Sequence, residues 1–206
     1  MTRPSRTHGF TLVELLVVIA IITMLAGFGM VKMQGVLEDA KKTSCQENLK
    51  EIWAQLTRYQ TNKGRLPAES GSAFVLAIWG DPYIEKSANN AKKFFCPSRA
   101  QEDLDDATLD DVMTPAKIHY AGRIQEKPYK YSVLDGKDSS KTIIVCDKPN
   151  IGGEECHKGK CLCVLYASGQ AAIIDREKFG GKDGVLAIGP ESSYEPLQGL
   201  RGDEND

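Results

Sequence analysis

Histidine is scarce in this chain, with three in 206 residues: His8, His119 and His157. No Gly-x-Ser-x-Gly, Walker loop or His-Glu-x-x-His occurs, and no spacing of serine and histidine suggests a triad. No enzymatic activity and no cofactor are therefore expected, and no metal ligand is assigned. An excess of one charge is also missing. The 26 basic and 28 acidic residues leave a formal net charge of −2, so no broad basic field attracts nucleic acid. No Cys-x-x-Cys pair exists to support thiol redox chemistry. There is no internal repeat, and proline is absent between Pro4 and Pro67, so a helix can run through that stretch unbroken.

What is present begins with an apolar run. In residues 10–31 Leu, Val, Ile, Ala and Met dominate, and Glu14 is the only charged side chain. As a helix these residues would span about 33 Å, the thickness of a bilayer's hydrocarbon core. Ahead of the run stand Arg3 and Arg6, which hold that end in the cytoplasm and place the rest of the chain outside the inner membrane. A secretory signal peptide or a plain single-pass anchor would account for the basic start and the apolar run, but neither accounts for Glu14. A charge at that depth costs roughly 2.5–3.5 kcal/mol on insertion scales and usually has a partner and a function.

The stretch "GFTLVELLVVIAII" (9–22) resembles the amino-terminal motif of type IV pilins and type II secretion pseudopilins. The resemblance implies cleavage after Gly9 by a prepilin peptidase that also methylates, N-methylation of the new terminal residue Phe10, and pairing of Glu14 with the terminal amine of a neighbouring subunit. Many pilins carry a proline midway through this helix; its absence here leans toward the pseudopilin side. Glu14 lies about 6 Å along the helix from Phe10, so a neighbour staggered by that rise would bring its ammonium to the carboxylate. A misregistered neighbour leaves two unpaired charges in an apolar medium, which makes the pair a register device.

Beyond Lys32 the pattern becomes one-sided. Val36, Leu37, Ala40, Ser44, Leu49, Ile52, Trp53, Leu56 and Tyr59 recur mostly at steps of three and four, with charged residues between them, and "NKGRLP" stops the helix. The spacing predicts one helix over residues 10–62, its second half covered by the rest of the chain. A short helix is expected at 73–79, and the segments 87–101 and 102–111 read as loop with a helical turn. Strand-like runs follow at 116–124, 129–134, 142–147, 161–167 and 170–175, with Ser168-Gly169 as a hairpin turn between the last two. The fold class expected is α+β: a long amino-terminal helix, membrane-spanning in its first half, packed on a small antiparallel sheet in the pilin-like manner. The organisation expected is a cleaved leader (1–9), a transmembrane helix (10–32), its amphipathic continuation (33–62), a globular α+β domain (63–189) and a loose acidic tail (190–206).

The blocks at 45–67, 94–98, 133–147 and 157–174 are similar to those of a large set of bacterial pilin-like proteins abundant in planctomycetes and their relatives. The last block of that set usually carries Asp-Gly-His where this chain has Ser168-Gly169-Gln170, so any polar or metal role of that trio is absent here.

Six cysteines, Cys45, Cys96, Cys146, Cys156, Cys161 and Cys163, are many for a cytosolic protein and suit an oxidising compartment. Disulfides are expected among them, with Cys156 joined to Cys161 or Cys163 around the "HKGK" loop. Zinc held by Cys156, His157, Cys161 and Cys163, and free thiols, are the alternatives. The spacing C-H-x3-C-x-C matches no familiar finger pattern. His119 reads as a structural or surface histidine. The acidic run 103–111 lacks the layout of a calcium loop and reads as a solvated face, and "GGKDG" (180–184) reads as a turn.

The sequence thus reads as the structural subunit of a type IV pilus-like or type II secretion filament. The partners implied are other pilin-like subunits, the peptidase, an inner-membrane assembly platform with its ATPase, and membrane lipid. The chain would sit in the bacterial inner membrane with its carboxy-terminal domain periplasmic or extracellular. A membrane-tethered ligand- or metal-binding module is the alternative.

Overall fold

Cys45, Leu49, Ile52 and Leu56 fall on one helical face, and all four are fully buried. The stripe read in the sequence is therefore a core stripe, each large side chain contributing about 1.5–3 kcal/mol of gross burial energy. The computed structural model describes residues 10–99, 104–123, 139–151, 154–179, 195–197 and 200. Within helices and strands, nothing is said of the side chains of 27–34, 150, 151, 154, 179 and 195. The expected leader (1–9), the strand-like run at 129–134, the start of the acidic run, the expected turn at 180–184 and most of the expected tail (190–206) lie outside the described residues.

The chain divides into two units, Met1–Asp39 and Ala40–Asp206. Helix α1 (Leu12–Lys63) contributes to both. Its described large apolar side chains in the first unit, and Phe10 ahead of it, are uncovered: Phe10, Leu12, Val13, Leu15, Leu16, Val17, Val18, Ile19, Ile21, Ile22, Met24, Leu25, Val36 and Leu37 are all exposed. Among the described residues no helix is long and apolar enough to cross a membrane. The described side chains of the apolar run stop at Ala26, about 22 Å of helix from Leu12, and a span needs roughly 20 residues.

In the second unit α1 ends at Gly64, whose φ of +68° and N–H bond of 2.7 Å to the Gln60 carbonyl form a left-handed cap. Helix α2 (Ser72–Leu76) follows, then α3 (Ala88–Ala91), a 3-10 turn (Lys92–Phe94) and α4 (Leu109–Val112). The strands are β1 (Tyr120–Gly122), β2 (Ile143–Asp147), β3 (Asn150–Ile151), β4 (Glu154–Glu155), β5 (Cys161–Tyr166) and β6 (Ala171–Asp175). A four-stranded sheet has the order β1-β2-β5-β6 with every pair antiparallel, and β3 with β4 makes a separate two-stranded ribbon.

The central strands β2 and β5 are buried nearly along their whole length, which explains their continuous apolar runs. The β5–β6 hairpin turns at Ser168-Gly169. Gly169 has φ +86°, and a Cβ there would lie 2.5 Å from the indole nitrogen of Trp53 on α1. Glycine is thus required twice over, by backbone conformation and by the closeness of the helix.

Two expectations change. The run at 116–124 gives a strand only at Tyr120–Gly122, because the N–H groups of Lys117 and Ile118 both turn back to the Thr114 carbonyl. The segment after Pro190 is anchored within: Leu197 and Leu200 are fully buried, Glu195–Leu197 form one 3-10 turn, and Leu200 bridges Arg123. Two leucines three apart are too few to register as a periodic pattern.

Candidate functional site

At the start of α1, Thr11 and Glu14 form a capping box. The Thr11 N–H and hydroxyl both donate to Glu14 Oε2 at 2.8 Å, and the Glu14 N–H returns a 3.3 Å bond to Thr11 Oγ1. A carboxylate three residues into a helix also faces the positive end of the macrodipole. Glu14 thus has an intrachain job, satisfying a donor that a helix otherwise leaves open. Phe10, just ahead of this cap, is 79% exposed.

The second site is interior. Cys45 from α1, Cys96 from the loop after the 3-10 turn, Asp147 at the end of β2 and His157 before β5 converge with their ligand atoms within 4.8 Å of one another, and all four are buried. Cys45 Sγ donates to Asp147 Oδ1 at 3.1 Å, and Cys156 Sγ donates to Asp147 Oδ2 at 3.0 Å. The Cys163 N–H adds a 2.9 Å bond to the same Oδ2. His157 Nε2 lies 3.4 Å from Asp147 Oδ2, 3.6 Å from Cys96 Sγ and 3.4 Å from Cys163 Sγ. The Tyr120 hydroxyl touches Cys45 Sγ at 3.3 Å, and Ser98 Oγ touches Cys96 Sγ at 2.9 Å.

Local structure explains the convergence. Cys45 precedes Leu49 by one turn on the buried face of α1. Phe94 and Phe95, both buried, draw Cys96 inward behind them. Asp147 ends a fully buried strand, opposite Tyr120 across the ladder. His157 is turned in by an unusual backbone: it and Lys158 have φ of +46° and +56°, followed by Gly159 at +66°. Left-handed geometry costs about 1–2 kcal/mol per non-glycine residue, so the surroundings must impose it. Part of that hold is visible, since the His157 N–H donates to Ser98 Oγ at 2.9 Å.

The electrostatics follow from burial. Desolvation pushes the thiols of Cys45 and Cys156 well above their ordinary value and raises Asp147 as well. Cys96 moves the other way, drawn down by hydrogen bonds from Cys156 and Cys45 and by His157 against the cost of burial. Burial opposes a charge on His157, but its hydrogen bonds to Asp147, Cys163 and Cys96 outweigh this and hold its pKa at about 12. The two shifts run in the same sense, each favouring the charged form of its group beside the other. His119 supports the cluster from behind: burial and the Arg99 charge lower its pKa to about 4, so neutral Nδ1 accepts the Cys96 N–H at 3.0 Å.

All six cysteines are free. The nearest pair in the cluster, Cys96 and Cys156, has sulfurs 4.0 Å apart, about twice a disulfide bond length. The expected bridge from Cys156 to Cys161 or Cys163 is not formed, since Cys156 turns toward Cys96 and Asp147. Of the quartet Cys156, His157, Cys161 and Cys163, the structure gathers Cys156, His157 and Cys163. Cys161 is paired in register with Asp175 and makes none of the cluster's hydrogen bonds, and Cys146 is buried in β2 between its partners Ala121 and Val164. Sequence reasoning missed Asp147. Its signal was an acid closing an otherwise apolar strand, since a buried carboxylate must find donors or a cation.

A helix packed on a four-stranded antiparallel sheet, in a chain that opens with a capped apolar segment holding one carboxylate, defines a pilin-like α+β protein. The amino-terminal segment matches the prokaryotic N-terminal methylation motif over residues 4–30, which supports a likeness of that segment to type IV pilin-like and pseudopilin precursors. No curated protein and no solved structure matches the chain.

Proposed function

We propose that the chain is a structural subunit of a type IV pilus-like or type II secretion filament, cut after Gly9 by a prepilin peptidase and assembled through its amino-terminal helix. The observation that carries this is the uncovered apolar surface of residues 10–25, whose only charge is Glu14. A helix apolar on all sides belongs in lipid or against other helices. The membrane would hold the segment before assembly and neighbouring subunits would cover it afterwards. Residues 10–32 would then span the inner membrane, with the sheet domain on the periplasmic or outer side.

Cleavage would create an ammonium at Phe10, N-methylated in the mature chain, and Glu14 would receive the ammonium of a neighbour. A head-to-tail contact repeated without closing builds a fibre. The role is structural, and the chemistry of processing and assembly belongs to the peptidase and the ATPase platform. Mass spectrometry of the chain recovered from its own cells tests the reading: the expected terminus is a methylated Phe10, and an intact leader on assembled material refutes it. A tethered metal-binding module is the second reading, favoured by the buried thiol cluster. The closure of that cluster to solvent argues for a metal as part of the fold rather than as cargo.

A further inference from the structure

We propose that the interior cluster binds one zinc ion per chain, held by Cys45, Cys96, Asp147 and His157, as a structural clamp. It stands apart from the filament role and concerns only the second unit.

Geometry comes first. Tetrahedral zinc with bonds of about 2.3 Å to sulfur and about 2.0–2.1 Å to nitrogen or oxygen has sulfur-to-nitrogen edges of roughly 3.5 Å. The structure has Cys96 Sγ to His157 Nε2 at 3.6 Å, His157 Nε2 to Asp147 Oδ2 at 3.4 Å and Cys45 Sγ to Asp147 Oδ1 at 3.1 Å. These three distances, two of them through different oxygens of Asp147, are near ligand spacing, and all four donors lie within 4.8 Å of one another. Cys163 and Cys156 flank it through His157 Nε2 and Asp147 Oδ2.

Chemistry comes second. A disulfide core would need two sulfurs; it would give no reason for a fully buried carboxylate and imidazole to share their space. Buried charges are paired or bound to metal, and two thiolates, a carboxylate and an imidazole favour a thiophilic divalent ion over calcium or magnesium. Burial leaves no open coordination position, the mark of a structural rather than catalytic zinc. The left-handed residues 157 and 158 are the third sign, since backbone strain that delivers one imidazole nitrogen to a point is costly without a return. Binding would release to solvent the protons held on Cys45 Sγ and His157 Nε2, and any on Cys96 Sγ, and join α1, the loop at 95–99, β2 and the turn before β5.

The test uses the full chain purified in detergent with neither added metal nor chelator. Elemental analysis against amino-acid analysis should give one zinc per chain. Exchange with cobalt should give a thiolate charge-transfer band and the visible bands of a tetrahedral ion, readouts that need no variant. Cys96→Ser and His157→Gln should each retain less than about a tenth of the zinc under a chelator challenge that leaves the wild type loaded. Cys146→Ala, at a buried cysteine outside the cluster, should keep its zinc. Two results overturn the proposal: wild-type chain without stoichiometric metal and with six titratable thiols, or a mass two hydrogens lower with a Cys96–Cys156 disulfide.

Discussion

Leucine to alanine at two positions of the same helix should have opposite consequences. Leu49 is fully buried in the second unit, whereas Leu16 in the first is 51% exposed. In a packed core Leu→Ala costs about 2.7–5 kcal/mol, as lost transfer energy plus a cavity. At about 3 kcal/mol, and at 2–4 °C per kcal/mol for a domain of this size, Leu49→Ala should lower the melting temperature by about 6–12 °C. Leu16→Ala removes atoms that touch no core, so its effect on melting should stay within about 0.5 kcal/mol, or 1–2 °C. The assay is near-ultraviolet circular dichroism of the detergent-solubilised chain, with Trp53 and Trp79 as reporters. Sheared filament from cells, quantified by immunoblot, supplies the second axis, on which Leu16→Ala should lose yield at normal cellular levels of subunit. If Leu16→Ala melts as early as Leu49→Ala, or if both leave assembly intact, the apolar surface of the first unit is not reserved for neighbours.

Gly169→Ala should cost on the order of 1–3 kcal/mol, because φ is +86° and the new Cβ would meet the Trp53 ring; an unchanged melting temperature would contradict the packing of α1 on the hairpin. Glu51→Ala, which removes the partner of Lys93 at a partly exposed ion pair, should change stability by less than about 1 kcal/mol in thermal denaturation, so a large loss would mean the pair is more buried than described. After metal is stripped, Ellman's reagent should find the thiols slow in the folded chain and all six reactive once it is unfolded, since every cysteine is buried and free; fewer than six would reveal a disulfide. Glu14→Leu should abolish filament yield while leaving the melting of the second unit unchanged, and normal fibres from that variant would remove the registration role.

The α1 stripe, the β5–β6 hairpin and the buried runs of β2 and β5 were legible in the sequence because each is a local pattern, readable within about a dozen residues. Thr11-Leu-Val-Glu14 was equally local, a capping box by its spacing, yet the apolar run around it drew the reading toward a pairing between subunits. The interior cluster was not legible as a unit. Cys45 and Asp147 meet across 102 positions, and their juxtaposition depends on how the helix lies on the sheet. Composition pointed to cysteine chemistry, but it matched residues near each other in the chain and so took Cys156, Cys161 and Cys163 in place of Cys45, Cys96 and Asp147. The turn at His157 gave no warning either, for left-handed backbone is commonly marked by Gly or Asn, and only Gly159 fits that habit.

The capping box divides the labour of one side chain between its two oxygens. Both Thr11 donors go to Oε2, and among the described residues Oε1 accepts no hydrogen bond. None of the cap's bonds reaches back past Thr11, so proteolysis between Gly9 and Phe10 would leave the first turn of the helix as it found it. The incoming amine of an adjacent protomer would therefore meet a carboxylate that is already oriented, with one acceptor still vacant, and would not have to unwind its host to dock.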